Sequence, residues 1–155
     1  MDTNRPQPAL RASSATSPAP AIDWLLDSDP AIRWQVLRDL TGAPEEVVAA
    51  ERALVATHGW GARLLAARDP DGQWMGGACF PGRGERPEDG SQPWTSTLPV
   101  MLELLAFGLD PADKTAREMT WSVAVNCRWE YNDRLIFDGE VEPCISGHTV
   151  SLGAH

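Results

Sequence analysis

The chain has 155 residues, 43% of them hydrophobic and 23% charged, and carries a net charge of −9. That length suits one domain with one core. The acidic balance and the single lysine, Lys114, exclude nucleic-acid binding through clustered cations. The three cysteines, Cys79, Cys127 and Cys144, are too few and too scattered for a disulfide framework. With no signal-like apolar segment in residues 1–20, the expected location is a reducing, cytoplasmic one.

Residues 1–20, rich in Pro, Ser and Ala, predict a disordered lead-in to a helical domain over 21–155. Ile22, Trp24, Leu25 and Leu26 begin it as a short apolar helix. Asp29-Pro30 then restarts the chain, Asp29 as N-cap and Pro30 at the first helical position, where its missing N–H costs nothing. That helix carries Ile32, Val36, Leu37 and Leu40 inward and stops at Thr41-Gly42. Pro44 opens a third helix with Glu45 and Glu46 in its first turn, favourable to the helix dipole. Its apolar stripe is Val47, Val48, Ala50, Leu54 and Val55, and it closes at His58-Gly59. A fourth, from Trp60 to Ala67, runs into the turn Asp69-Pro70-Asp71-Gly72 and then Trp74.

From Gly76 to Gln92 the density of Gly and Pro breaks any regular element. These glycines follow no strand, so they are not a phosphate loop. Trp94-Thr95-Ser96-Thr97 supplies candidate N-caps for a fifth helix that is apolar nearly all round, the signature of a buried one. At Leu98 to Leu109 this run is interrupted by Glu103 and too short to span a bilayer. Gly108 ends it, and Asp110-Pro111 predicts the start of a sixth helix. There Ala112, Ala116, Met119, Val123 and Cys127 face inward, and Lys114, Arg117 and Glu118 face water. After Trp129 the chain is irregular to Glu142, anchored by Leu135, Ile136 and Phe137, and Pro143 begins a last helical run. No segment has a convincing strand period, so the fold class is all-α, with six or seven helices joined by long irregular loops.

Leu64-Leu65 followed by Asp71-Gly72-Gln73-Trp74 resembles the repeat of squalene and terpenoid cyclases and of protein prenyltransferase β subunits. Ile22–Leu26, Asp29-Pro30 with Ile32-Arg33-Trp34-Gln35, Gly59-Trp60-Gly61, Trp94–Thr97 and Phe137–Cys144 extend the likeness over most of residues 22–155. The resemblance implies paired helical hairpins arranged as an incomplete α/α toroid, a half-ring. Its last helix would lack a partner and so favour self-association. It also implies a concave, aromatic-lined face for an isoprenoid or lipid, with Trp74, Trp94 and Trp129 as candidate binding residues. Arg68 stands where that family's repeat has a glutamine, and neither Asp-x-Asp-Asp nor Asp-Asp-x-x-Asp is present.

Asp138, Glu140 and Glu142 are the candidate catalytic carboxylates if their loop faces the cavity, and cap the last helix if it does not. Glu142-Pro143-Cys144 with His148 is the nearest match to the zinc ligands of prenyltransferases, with Cys144 and His148 one helical turn apart. A buried cysteine beside a helix cap accounts for the same residues. Asp27–Arg33 also resembles the inter-helix turn of HEAT-type repeats, which gives a non-catalytic protein-interaction scaffold as the alternative function, although no fixed repeat period follows.

Overall fold

The computed structural model describes residues 19–82, 95–129, 132–138 and 143–154. Among them the regular elements are helical, with two isolated bridges, Trp74 with Gly77 and Arg128 with Leu135. The helices are α1 (Ala19–Leu26), α2 (Pro30–Val36), α3 (Glu45–Ala53), α4 (Gly59–Ala66), α5 (Thr97–Phe107), α6 (Lys114–Asn126) and α7 (Pro143–Ala154). No helix among the described residues is long and apolar enough to cross a membrane.

The N-terminal helices start and stop where their punctuation places them. Asp29 has extended backbone angles and its carboxylate accepts from the Ala31 N–H at 3.0 Å, so Pro30 enters α2 as expected. The same carboxylate accepts from the Trp60 N–H at 2.8 Å, which ties the start of α2 to the start of α4. Beyond Val36 the helix widens into one π-type turn, Leu37–Thr41, and ends at Gly42 in the left-handed region. Arg33 reaches across to Glu51 on α3 in a partly buried ion pair and donates to the Ser28 carbonyl at 2.7 Å. The apolar stripe expected of α3 forms only in part, with Val48 and Leu54 half-buried and Ala50 exposed. Val47 is exposed and Val55, in the single 3-10 turn after α3, is the residue of that set that is fully buried. A nine-residue helix that packs mainly on α2 has too narrow an interface to cover five apolar positions.

Helix α5 is the centre of the molecule, and both of its ends are closed by other elements. Thr97, Leu98, Val100, Met101 and Leu104 are buried, Leu102 and Leu105 are half-buried, and Glu103 and Ala106 are exposed, so the helix is buried over one broad face rather than all round. Ser96 occupies the N-cap position, yet neither it nor Thr97 caps the helix with its hydroxyl. The first N–H groups instead donate to main-chain carbonyls, Thr97 to Gly77 at 2.9 Å and Leu98 to Ala78 at 2.7 Å. The hydroxyls are thereby released to bond outward: Ser96 Oγ donates to the Cys79 carbonyl at 2.7 Å, and Thr97 Oγ1 accepts from the Trp74 N–H at 3.0 Å. At the other end Trp34 Nε1 donates to the Phe107 carbonyl at 2.7 Å and Arg52 Nε to the Gly108 carbonyl at 2.6 Å. The Arg38 and Arg52 guanidinium groups lie over the Trp34 ring, 4.5 and 5.2 Å from its centroid. Gly108 is required there twice over, by φ +90 and because a Cβ would fall within 2.6 Å of the Trp34 ring.

Helix α6 begins later than Asp110-Pro111 predicts. Asp110 closes only a local turn, accepting from the Ala112 N–H at 2.8 Å, and the N-cap is Asp113, which accepts from Thr115 and Ala116. Two Asp residues three apart offer the same capping chemistry, and the second is the one from which the chain can lay Ala116, Met119 and Val123 on the core. The last helix packs on α5 and buries Leu152.

Candidate functional site

The turn after α4 is a set of ties rather than an open site. Trp74 is buried, its Nε1 donates to the Leu64 carbonyl near the end of α4 at 2.8 Å, and its main-chain N–H meets Thr97 at the start of α5. Asp69 and Gln73 close the turn between them, the Asp69 N–H donating to the Gln73 carbonyl at 2.8 Å. Gly72, with φ +88, lies so close to α6 that a Cβ would fall 2.3 Å from Ser122 Oγ. One aromatic residue and its turn thus join α4, α5 and α6.

Trp129 is buried in the same core cluster as Trp74, and its Nε1 has no hydrogen-bond partner among the described residues. Its main-chain N–H donates to the Arg134 carbonyl at 2.8 Å, and the Ile136 N–H donates to the Cys127 carbonyl at 2.9 Å. Trp94, Glu140 and Glu142 lie outside the described residues. Asp138 is exposed, and its N–H donates to the Leu135 carbonyl at 2.9 Å. His148 is exposed on α7, and Cys144 lies in the first turn of that helix. Among the described residues no three His, Cys, Asp or Glu side chains gather as a metal-ligand set. Cys127, the core thiol of α6, is fully buried, and that burial, with the nearby Asp71 charge, pushes its pKa up to about 12. A thiol held neutral in this way is a packing group, not a nucleophile.

A concave feature among the described residues lies elsewhere, between α5, α6 and α7. It is a cleft of about 330 Å³, within the range of small-ligand sites. Met101, Leu104 and Leu105 present one face of α5 to it, with Leu109 and Pro111 from the following turn. Ala116, Met119 and Ala124 of α6 and Leu152 of α7 supply the facing walls. At its edge are Arg117 and Trp121, and Trp121 is 71% exposed. No known protein family, curated protein or solved structure matches this chain.

Trp121 falls between the inward positions of α6, and Arg117 reads from the sequence as a solvated charge, which its exposure supports. The available signal was the spacing Arg117, Thr120, Trp121, Ala124, which is one helical stripe of mixed character beside the buried stripe of Ala116, Met119 and Val123. An exposed tryptophan on such a stripe is the kind of residue that contacts a ligand. Of the described residues that line the cleft, none is a carboxylate, imidazole or thiol. What this arrangement offers is apolar contact, with one aromatic ring and one guanidinium at the rim.

Proposed function

We propose that this protein is a helical domain that holds an isoprenoid or other lipid chain in the cleft between α5, α6 and α7. In this reading its helices follow the incomplete toroid of squalene cyclases and prenyltransferases. The observation that carries the proposal is the cleft itself, apolar on all three helices and bordered by an exposed tryptophan. Burying apolar surface there gains roughly 25 cal/mol per Å² removed from water. The lining groups suit binding rather than acid–base chemistry. In a thermal-shift assay farnesol or squalene raises the melting temperature of the wild-type chain, and Ala124→Phe, which fills the cleft from α6, removes the effect while helical circular dichroism is retained. An absence of shift with every isoprenoid and lipid, or a shift that survives Ala124→Phe, contradicts the proposal.

A helical-repeat scaffold is the second reading, favoured by one feature of the N-terminal helices. Asp29 caps α2 and bonds the start of α4 with one carboxylate, and Trp24 of α1 is left 73% exposed. On that reading Trp24→Ser abolishes stoichiometric co-purification with a protein partner, and the cleft binds no lipid.

A further inference from the structure

We infer that the ligand of the α5–α6–α7 cleft is a monoanionic amphiphile, a fatty-acid-like carboxylate whose head group pairs with Arg117. This rests on the proposed binding function of the cleft and specifies the chemistry of what enters it.

The charges around the cleft select that class. Arg117 is the one cationic side chain among the described lining residues, and it makes no ion pair with any described residue. Its neighbours are already engaged. Lys114 pairs with Glu118 at 3.5 Å, Thr120 Oγ1 donates to the Ala116 carbonyl at 2.9 Å, and the Asp110 and Asp113 carboxylates accept from main-chain N–H groups of their own turns. Arg117 is therefore the available donor. A planar guanidinium with two parallel N–H groups matches a carboxylate in a bidentate pair. A diphosphate carries more negative charge than one arginine neutralises, and a chain with a net charge of −9 repels a polyanion. A neutral hydrocarbon gains nothing from Arg117. The tail occupies the walls of Met101, Leu104, Met119 and Leu152, and Trp121 sits at the mouth as a reporter.

The test is a fluorescence titration of the full chain with dodecanoate, dodecanol and farnesyl diphosphate, repeated on Arg117→Gln. Dodecanoate binds about fivefold tighter than dodecanol, as expected for an exposed charge pair worth up to about 1 kcal/mol. Arg117→Gln removes that preference and leaves dodecanol binding unchanged. Each methylene added to the carboxylate tightens binding about fourfold until the cleft is full, from about 0.8 kcal/mol per buried CH₂. Equal binding of dodecanoate and dodecanol, or tighter binding of farnesyl diphosphate, overturns the head-group assignment and leaves the cleft as a lipid site. Failure of all three to bind overturns both, as does a dimer in sedimentation that Trp121→Ser dissociates and that none of the three ligands perturbs.

Discussion

From α1 to the turn after α3 the buried hydrophobic side chains are Ala31, Trp34, Val36 and Val55, whereas those from Trp74 to Leu152 form one continuous core cluster. The N-terminal helices are positioned by directional contacts: the Asp29 carboxylate on two helix starts, the Arg33–Glu51 pair, and Trp34 and Arg52 on the last carbonyls of α5. The C-terminal helices are positioned by apolar packing around α5, with the Trp74 turn fixing where they enter. Hydrophobic burial is non-directional and scales with area, while a single hydrogen bond contributes about 1 kcal/mol net. The two regions should therefore respond differently to substitution. The half with the deep core also holds the cleft.

The largest effect is expected in the core. Leu104→Ala, at a side chain with 1% exposure, lowers unfolding stability by about 2–5 kcal/mol in urea titration. A pair of tryptophan substitutions comes next. Trp74→Phe removes the Nε1 bond to the Leu64 carbonyl, which keeps the Ala67 N–H at 3.2 Å, and costs about 1 kcal/mol for the bond lost. Trp129→Phe removes an N–H that has no partner among the described residues, so it costs less than Trp74→Phe in the same titration. Equal losses would show that the ring volume, not the bond, is what Trp74 supplies.

Arg52→Ala sharpens the contrast between halves. It removes the donors to the Gly108 and Leu109 carbonyls and the stacking on Trp34, at a cost of about 1–2 kcal/mol. Hydrogen exchange should accelerate in α2 and α3 while the amides of α5 keep their protection. The last effect appears only at alkaline pH and comes from Cys127. Its folded pKa, about 12, lies above the ordinary value of 9.0, so the native state holds a proton that the unfolded chain releases. The resulting stabilisation is complete below pH 9 and declines as pH rises from about 9 toward 12. Alkylation by iodoacetamide should follow global unfolding across that window, and Cys127→Ala should flatten the alkaline limb of the stability curve.

Much of the fold was legible because its signals are local. Asp29-Pro30, Gly42 and Gly108 act through their own backbone angles, and the apolar circumference of α5 needs no partner to be recognised. Asp71-Gly72-Gln73-Trp74 was legible as a turn, but not the partners of Trp74 on α4 and α5. The start of α6 was not, because Asp110 and Asp113 make the same short-range bond and only packing separates them. The destinations of the Ser96 and Thr97 hydroxyls were hidden for a related reason, since their partners lie 17 and 23 residues away. The cleft was the least legible feature. It is assembled from three helices, and whether Trp121 lies inside or outside depends on how α6 is rotated against α5 and α7.

Methionine methyl groups give the most direct test of the cleft as a lipid site. Met101 and Met119 line it, and Met75 lies in the turn after α4, away from its walls. With ¹³C-methyl methionine labelling and farnesol added, the account predicts that the Met101 and Met119 resonances shift together while Met75 stays in place. Resonances of Met101 and Met119 that do not move at saturating farnesol, or a shift confined to Met75, would contradict it.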